Sequence, residues 1–138
     1  MILVTGGTGF VGRNIVRLLA EKGQKVRCLV RDSSPRDVLD GLDVEFYTGD
    51  ILVPDTLKEV FKGIDTVIHL VGIIKEIKGA TFEKIHTEGT KNVLEAARNA
   101  EIKKYIHMSA LGTRPDGISR YHKTKWQAEE AVRNSGLK

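Results

Sequence analysis

The chain has 138 residues, 41% of them hydrophobic and 29% charged, which is enough apolar material for one domain with one buried core. The net charge of +4 is spread along the sequence with only 6% aromatics and no long basic run, so no nucleic-acid interface is expected; the balance fits a solvated basic surface or an anionic ligand. The lone cysteine, Cys28, excludes an internal disulfide and fits a reducing, cytoplasmic compartment, and no apolar run approaches the ~20 residues a membrane helix needs.

Strand and helix signals alternate from one end to the other. Met1 leads without a signal-peptide stretch into Ile2–Thr5, a short apolar strand ending in glycines. Val11, Ile15, Leu18 and Leu19 recur at helical spacing, and Gly23 is the helix stop. Lys25–Val30 is the second strand, which places Cys28 in packing, and Val44–Tyr47 is the third. Asp55, after Pro54, is positioned to cap a short helix carrying Leu57, Val60 and Phe61 and ending near Gly63. Thr66–Val71 is the fourth strand, followed by an exposed loop to Ala80. A long helix carries Phe82, Ile85, Val93, Leu94 and Ala97, with Gly89 inside it. Lys104–Met108 is the fifth strand. Ser119 caps a last helix running to about Asn134, and Gly136 stops it. This alternation implies right-handed βαβ crossovers and a parallel sheet covered on both faces.

The strongest motif is Thr5–Gly6–Gly7–Thr8–Gly9–Phe10–Val11–Gly12, between the first strand and the first helix. A diphosphate needs backbone N–H donors, a positive helix end and no side chains in the way. Two spacings satisfy that need, Gly7-x-Gly9-x-x-Gly12 and Gly6-x-x-Gly9-x-x-Gly12. The bland alternative is a plain strand-to-helix turn. Strand two ends in Val30–Arg31–Asp32, with Arg36 nearby. An acid here takes a ribose 2′-hydroxyl, whereas an arginine pairs with a 2′-phosphate. Arg31 standing first favours NADP over NAD; the alternative is a solvated loop charge. Asp50, in Gly49–Asp50–Ile51, is placed either to accept the adenine amino group or to close an Asx turn. Leu70, Val71 and Gly72 close the fourth strand, where the glycine lets a cofactor lie close.

Tyr121 and Lys125 form a Tyr-x-x-x-Lys pair, and residues at i and i+4 share a helix face. An ammonium beside a phenol stabilises the phenolate, which makes the pair a candidate acid/base; the alternative is a surface helix pair. His69, His86, His107 and His122 show neither a His-x-x-x-His pair nor a neighbouring cysteine set, so no metal site is expected.

Together these motifs, in order along the whole chain, resemble the short-chain dehydrogenase/reductase superfamily in its extended or atypical branch, the NAD(P)-dependent epimerase/dehydratase group. Thr5–Gly12 matches its glycine loop and Gly49–Asp50 its adenine-contacting aspartate. Gly89–Thr90–Lys91–Asn92–Val93–Leu94–Glu95–Ala96–Ala97 resembles the helix after its fourth strand, and Tyr121 and Lys125 fall on its catalytic pair. Ser109–Ala110–Leu111–Gly112 and Tyr121–Lys125 together resemble the subgroup that contains the nucleotide-binding accessory subunit of respiratory complex I and its bacterial relatives. The resemblance implies a Rossmann-type doubly wound sheet in the order 3-2-1-4-5. It implies Tyr121 as general acid/base, Lys125 as its activator and holder of the nicotinamide ribose, and Ser109 as the group orienting a substrate oxygen.

Two departures from that pattern bear on turnover. Leu111 stands where the extended enzymes carry a later catalytic hydroxyl, which leaves Ser109, or else Thr113, to substitute. His86 stands where many relatives have Asn. The expected function is an NAD(P)-dependent oxidoreductase or epimerase acting on a small molecule of unread class. The alternative is a non-catalytic NADP(H)-binding sensor or accessory module. Leu137–Lys138 is expected to open a sixth strand, with the substrate-binding part lying beyond it, and self-association as a homodimer is an open expectation.

Overall fold

The computed structural model describes all of residues 1–138. Five parallel strands run β1 (Ile2–Thr5), β2 (Val26–Val30), β3 (Val44–Thr48), β4 (Thr66–His69) and β5 (Lys104–His107). They lie side by side in the order β3-β2-β1-β4-β5. β1 is central, with Thr5 level with Leu29 on one side and His69 on the other. This is the Rossmann-type doubly wound order that the motifs imply.

Strand side chains alternate between faces, and both faces here are apolar. Leu3, Leu29, Val67 and Tyr105 point to one side, against Leu57, Phe61, Val93 and Leu94. Val4, Cys28, Val30 and Ile68 point to the other, against Val16 and Leu39. Val16 belongs to α1 (Phe10–Glu21); Val93 and Leu94 belong to α2 (Gly89–Asn99). A third helix, α3 (Arg120–Arg133), packs beside α2. Cys28 is a buried packing residue, as its strand position predicts.

Three local features differ from the sequence expectation. The 54–63 segment is a single 3₁₀ turn, Pro54–Leu57, followed by hydrogen-bonded turns over 58–63. Asp55 does not cap it: Val53 occupies the cap position, and the Asp55 carboxylate pairs with Lys58 at 2.7 Å. The Arg27 guanidinium donates to the carbonyl oxygens of Val60 and Lys62 at 2.7 and 2.9 Å, at the end of the segment.

The second difference lies in the helix that carries Phe82 to Ala97. Its first part, Glu83–Glu88, is a π-helical turn that leads into α2. An ordinary helix turns ~100° per residue and does not bury three consecutive side chains equally. The wider turn does so, with Ile85, His86 and Thr87 all buried. Third, an unanticipated 3₁₀ turn, Asp37–Leu39, drops Leu39 into the core.

Ser119 caps α3 as its position predicts, its Oγ accepting from the His122 N–H at 3.1 Å. At the open side of β5, the Tyr105 N–H donates to the Lys138 carbonyl at 2.7 Å. No helix is long and apolar enough to cross a membrane.

Candidate functional site

A cleft of about 310 Å³ opens at the carboxyl ends of β1, β2 and β4. That is where ligands bind in open α/β sheets, beyond the strands and at the reversal of winding. Its floor is the glycine loop. Gly6 has φ +74° and its carbonyl accepts from Gly9 N–H at 3.1 Å, closing a tight turn. A Cβ on Gly12 would stand 2.1 Å from the Gly6 carbonyl oxygen, so no other residue lets α1 start this close to β1.

The glycine-loop residues divide between lining and packing. Gly6, Thr8 and Gly9 line the cleft. Gly7 packs inward against Cys28, and Gly12 packs against the turn. Phe10 and Val11 do not line it; Phe10 is 77% exposed with the Arg13 guanidinium 5.3 Å from its ring centre. Phe10, Val11 and Gly12 supply the first helical amides, which no intrahelical carbonyl can engage. No side chain caps this end and no acidic residue sits in its first turn. The positive end of a 12-residue helix is therefore open to an anion.

Arg31, Ser34, Asp50 and Ile51 line one end of the cleft. Ser34 Oγ accepts from the Arg31 N–H at 3.0 Å, and Ser34 N–H donates to the Arg31 carbonyl at 3.0 Å, which fixes the turn and leaves the guanidinium free. Arg36 is committed elsewhere, donating to Thr48 Oγ1 at 2.9 Å and lying over Phe46. Asp50 does close an Asx-type turn, one carboxylate oxygen accepting from Leu52 N–H at 2.9 Å. Its second oxygen has no protein partner, so the turn and a ligand contact are compatible.

Leu70, Val71 and Gly72 line the other end. A Cβ on Gly72 would lie 3.6 Å from His86 Nε2 and 3.8 Å from Lys125 Nζ, which places both side chains directly behind this wall. Lys125 is 4% exposed and its ammonium donates to the Met108 carbonyl at 2.7 Å. Burial pushes its pKa down, and Glu129 opposes the shift. Tyr121, one turn earlier, is half-buried with its ring edge-on to His86, centroids 5.2 Å apart. Ser109 is not free: its hydroxyl donates to Glu129 Oε1 and lies 3.4 Å from Thr113 Oγ1. Leu111 is fully exposed.

Several participants escaped the sequence reading. The loop after β4, read as an exposed turn, contributes Ile73, Ile77 and Ala80 to the cleft. Glu129 follows Lys125 by four residues and Tyr121 by eight, a spacing that could have marked it as sharing their face. Nothing local marked Ser34. No group of three or more His, Cys, Asp or Glu side chains is placed to hold a metal ion.

Comparisons with known proteins agree with this geometry. A ceramide reductase of Caulobacter vibrioides is 37% identical over 133 residues, covering 96% of this chain and 42% of that protein. A photosystem II assembly factor of Cyanophora paradoxa is 31% identical over 136 residues, 99% of this chain and 42% of that one. The crystal structure of a short-chain dehydrogenase/reductase superfamily protein from Agrobacterium tumefaciens, with bound NAD, superposes with a TM-score of 0.77 at 30% identity. It covers 96% of this chain and 44% of its own. The chain thus spans less than half the length of these relatives. The profile of the NAD dependent epimerase/dehydratase family matches residues 2–134, and the chain belongs to that family.

Proposed function

We propose that residues 1–138 are the dinucleotide-binding domain of an NADP(H)-dependent oxidoreductase or epimerase of the extended short-chain dehydrogenase type, acting on a small molecule. The observation that carries the proposal is the uncapped N-terminus of α1 behind a loop too tight for any side chain at Gly12. The loop fits a diphosphate: its donors are backbone amides, and its steric demands exclude everything but glycine. A dinucleotide bound there supplies hydride chemistry at its nicotinamide. The chain's own residues bind and orient. Gly6, Thr8 and Gly9 seat the diphosphate, and Arg31 pairs with a 2′-phosphate. The unengaged oxygen of Asp50 accepts from the adenine amino group. Lys125 holds the ribose at the Gly72 end, and the Tyr121 hydroxyl, which no protein group engages, carries the proton at the substrate oxygen.

NADP is favoured because Arg31 lines the cleft and Asp32 does not. NAD is the alternative, and it is what the Agrobacterium relative holds. A second reading, a binding module without turnover, is favoured by the Ser109 hydroxyl, whose proton is committed to Glu129, and by the similarity to an assembly factor. Titrating the wild type and Arg31→Ala with NADPH and with NADH tests the cofactor assignment. A charge-assisted contact is worth about 1.5–3 kcal/mol, so NADPH affinity should fall by roughly 10- to 100-fold while NADH affinity barely moves. Equal losses for both would overturn the NADP preference. No binding of either to the wild type would overturn the dinucleotide reading itself.

A further inference from the structure

We infer that His86 is a positioning residue of this site: held as its neutral Nδ1–H tautomer, it pins the Gly72–Ile73 wall of the cleft to α3 beside Tyr121 and Lys125. The inference rests on the dinucleotide reading of the cleft. His86 is 1% exposed and belongs to the π-helical turn that buries three consecutive side chains. Its Nδ1 lies 2.9 Å from Thr124 Oγ1, and its Nε2 lies 3.0 Å from both the N–H and the carbonyl oxygen of Ile73.

The hydrogen-bond inventory selects the tautomer. Thr124 Oγ1 lies 3.0 Å from the carbonyl oxygens of Arg120 and Tyr121 and gives its single proton there. Its lone pairs then accept from Nδ1–H, and Nε2 is left as an acceptor for Ile73 N–H. In the opposite tautomer Nε2–H faces the Ile73 carbonyl and Ile73 N–H loses its partner. An orphaned N–H is the rarer and costlier defect, so the Nδ1–H form prevails. Burial and the Lys125 ammonium keep the ring neutral by pushing its pKa down to about 4, against the smaller opposing pull of the Ile73 carbonyl and Glu83.

The ring itself is fixed by its neighbours. Phe82 stacks on it at 5.4 Å with 22° between planes, and Tyr121 meets it edge-on at 86°. One side chain therefore touches the phenol ring, the residue next to Lys125, and the backbone beside Gly72. A shift of the cleft wall is transmitted to the Tyr121 ring through that imidazole, and the reverse.

The test uses the 138-residue chain with NADPH as the probe. Imidazole ¹⁵N shifts should report Nδ1 protonated and Nε2 bare at pH 7. His86→Phe keeps the aromatic packing and deletes both hydrogen bonds. It should speed Ile73 amide exchange at least tenfold and weaken NADPH about tenfold, the equivalent of one lost hydrogen bond, with the remaining core amides as protected as in the wild type. An Nε2–H tautomer in the wild type overturns the inference, and so does NADPH affinity within twofold of wild type in His86→Phe. If that variant does not fold, the wild-type tautomer and Ile73 exchange decide alone. A wild type that binds no NADPH defeats the proposed function, while those two readouts still decide whether His86 pins the wall.

Discussion

Mild acid should destabilise this domain before its carboxylates titrate. His69, His86 and His107 all have their ring nitrogens inside the protein. Burial, then His107 and Lys125, hold His69 at about 3. Burial and Lys125 hold His86 at about 4. Burial and Lys125 hold His107 at about 4, with Glu129 opposing. The unfolded imidazoles titrate near ~6.5 and bind protons first, so stability is complete above that value and is lost as pH falls toward the folded values. At pH 5 each unfolded imidazole has passed its midpoint by about 1.5 pH units while the folded one is still mostly neutral. Each group then removes about 2 kcal/mol, and the three together about 6 kcal/mol if they act independently, a large part of a typical 5–15 kcal/mol.

Urea unfolding by circular dichroism at pH 7.5 and pH 5.0 measures the loss, and His107→Phe isolates one share of it. Neither His107 ring nitrogen has a hydrogen-bond partner, and the ring stacks on His69 at 5.6 Å, so phenylalanine keeps the contact and removes the titration. The variant should recover about 2 kcal/mol of the loss. Stability that is flat from pH 7.5 to 5.0, or an identical loss in the variant, would refute the reasoning.

Two further outcomes are expected. Gly12→Ala places a methyl 2.1 Å from Gly6 O and 2.7 Å from Gly7 Cα, backbone atoms that cannot rotate away. It should cost about 3 kcal/mol or more and lower the thermal midpoint by roughly 8 °C, and a midpoint within 2 °C of wild type by calorimetry would count against the tight-turn reading. Tyr121→Phe keeps the ring against His86 and Phe82 and removes only the hydroxyl. In the enzyme reading, turnover by the full-length protein should fall by about 10²–10⁴-fold with NADPH affinity within twofold of wild type, and undiminished turnover would remove Tyr121 from the chemistry.

The sheet and the tight glycine loop were legible because their signals are local. Apolar alternation in five short runs and glycine at fixed offsets each demand one backbone geometry. The Ser119 cap and the helix behind it were legible for the same reason. What escaped depends on partners distant in sequence. The end of the 54–63 segment is held by Arg27, 33 residues before Val60, whose guanidinium donates to the Val60 carbonyl. The wide turn at Glu83–Glu88 follows from the burial of His86 between Ile73 and Thr124, 13 residues before it and 38 after. The cleft wall from Ile73 to Ala80 has an exposed-loop composition and becomes a wall only because β4 delivers it beside the glycine loop.

The two functional readings meet at the carboxyl end of β5, and its hydrogen bonds decide which residue separates them. Lys125 Nζ holds the Met108 carbonyl, and one turn further along α3 Glu129 holds the Ser109 hydroxyl. Two successive residues after β5 are thereby fastened to two successive turns of one helix. That fixes where Lys125 points, and it also commits the Ser109 proton to a carboxylate. A substrate carbonyl needs a donor, and Ser109 in this arrangement offers a lone pair. Thr113, the other hydroxyl nearby, lies within 3.4 Å of the same oxygen, and Leu111 brings none. The Tyr121 hydroxyl has no protein partner and stands one turn before Lys125 on the same face. In the proposed enzyme, the proton that a carbonyl reduction needs would therefore be Tyr121's to give. It follows that loss of Ser109 cannot distinguish an enzyme from a binding module, whereas loss of the single Tyr121 oxygen can.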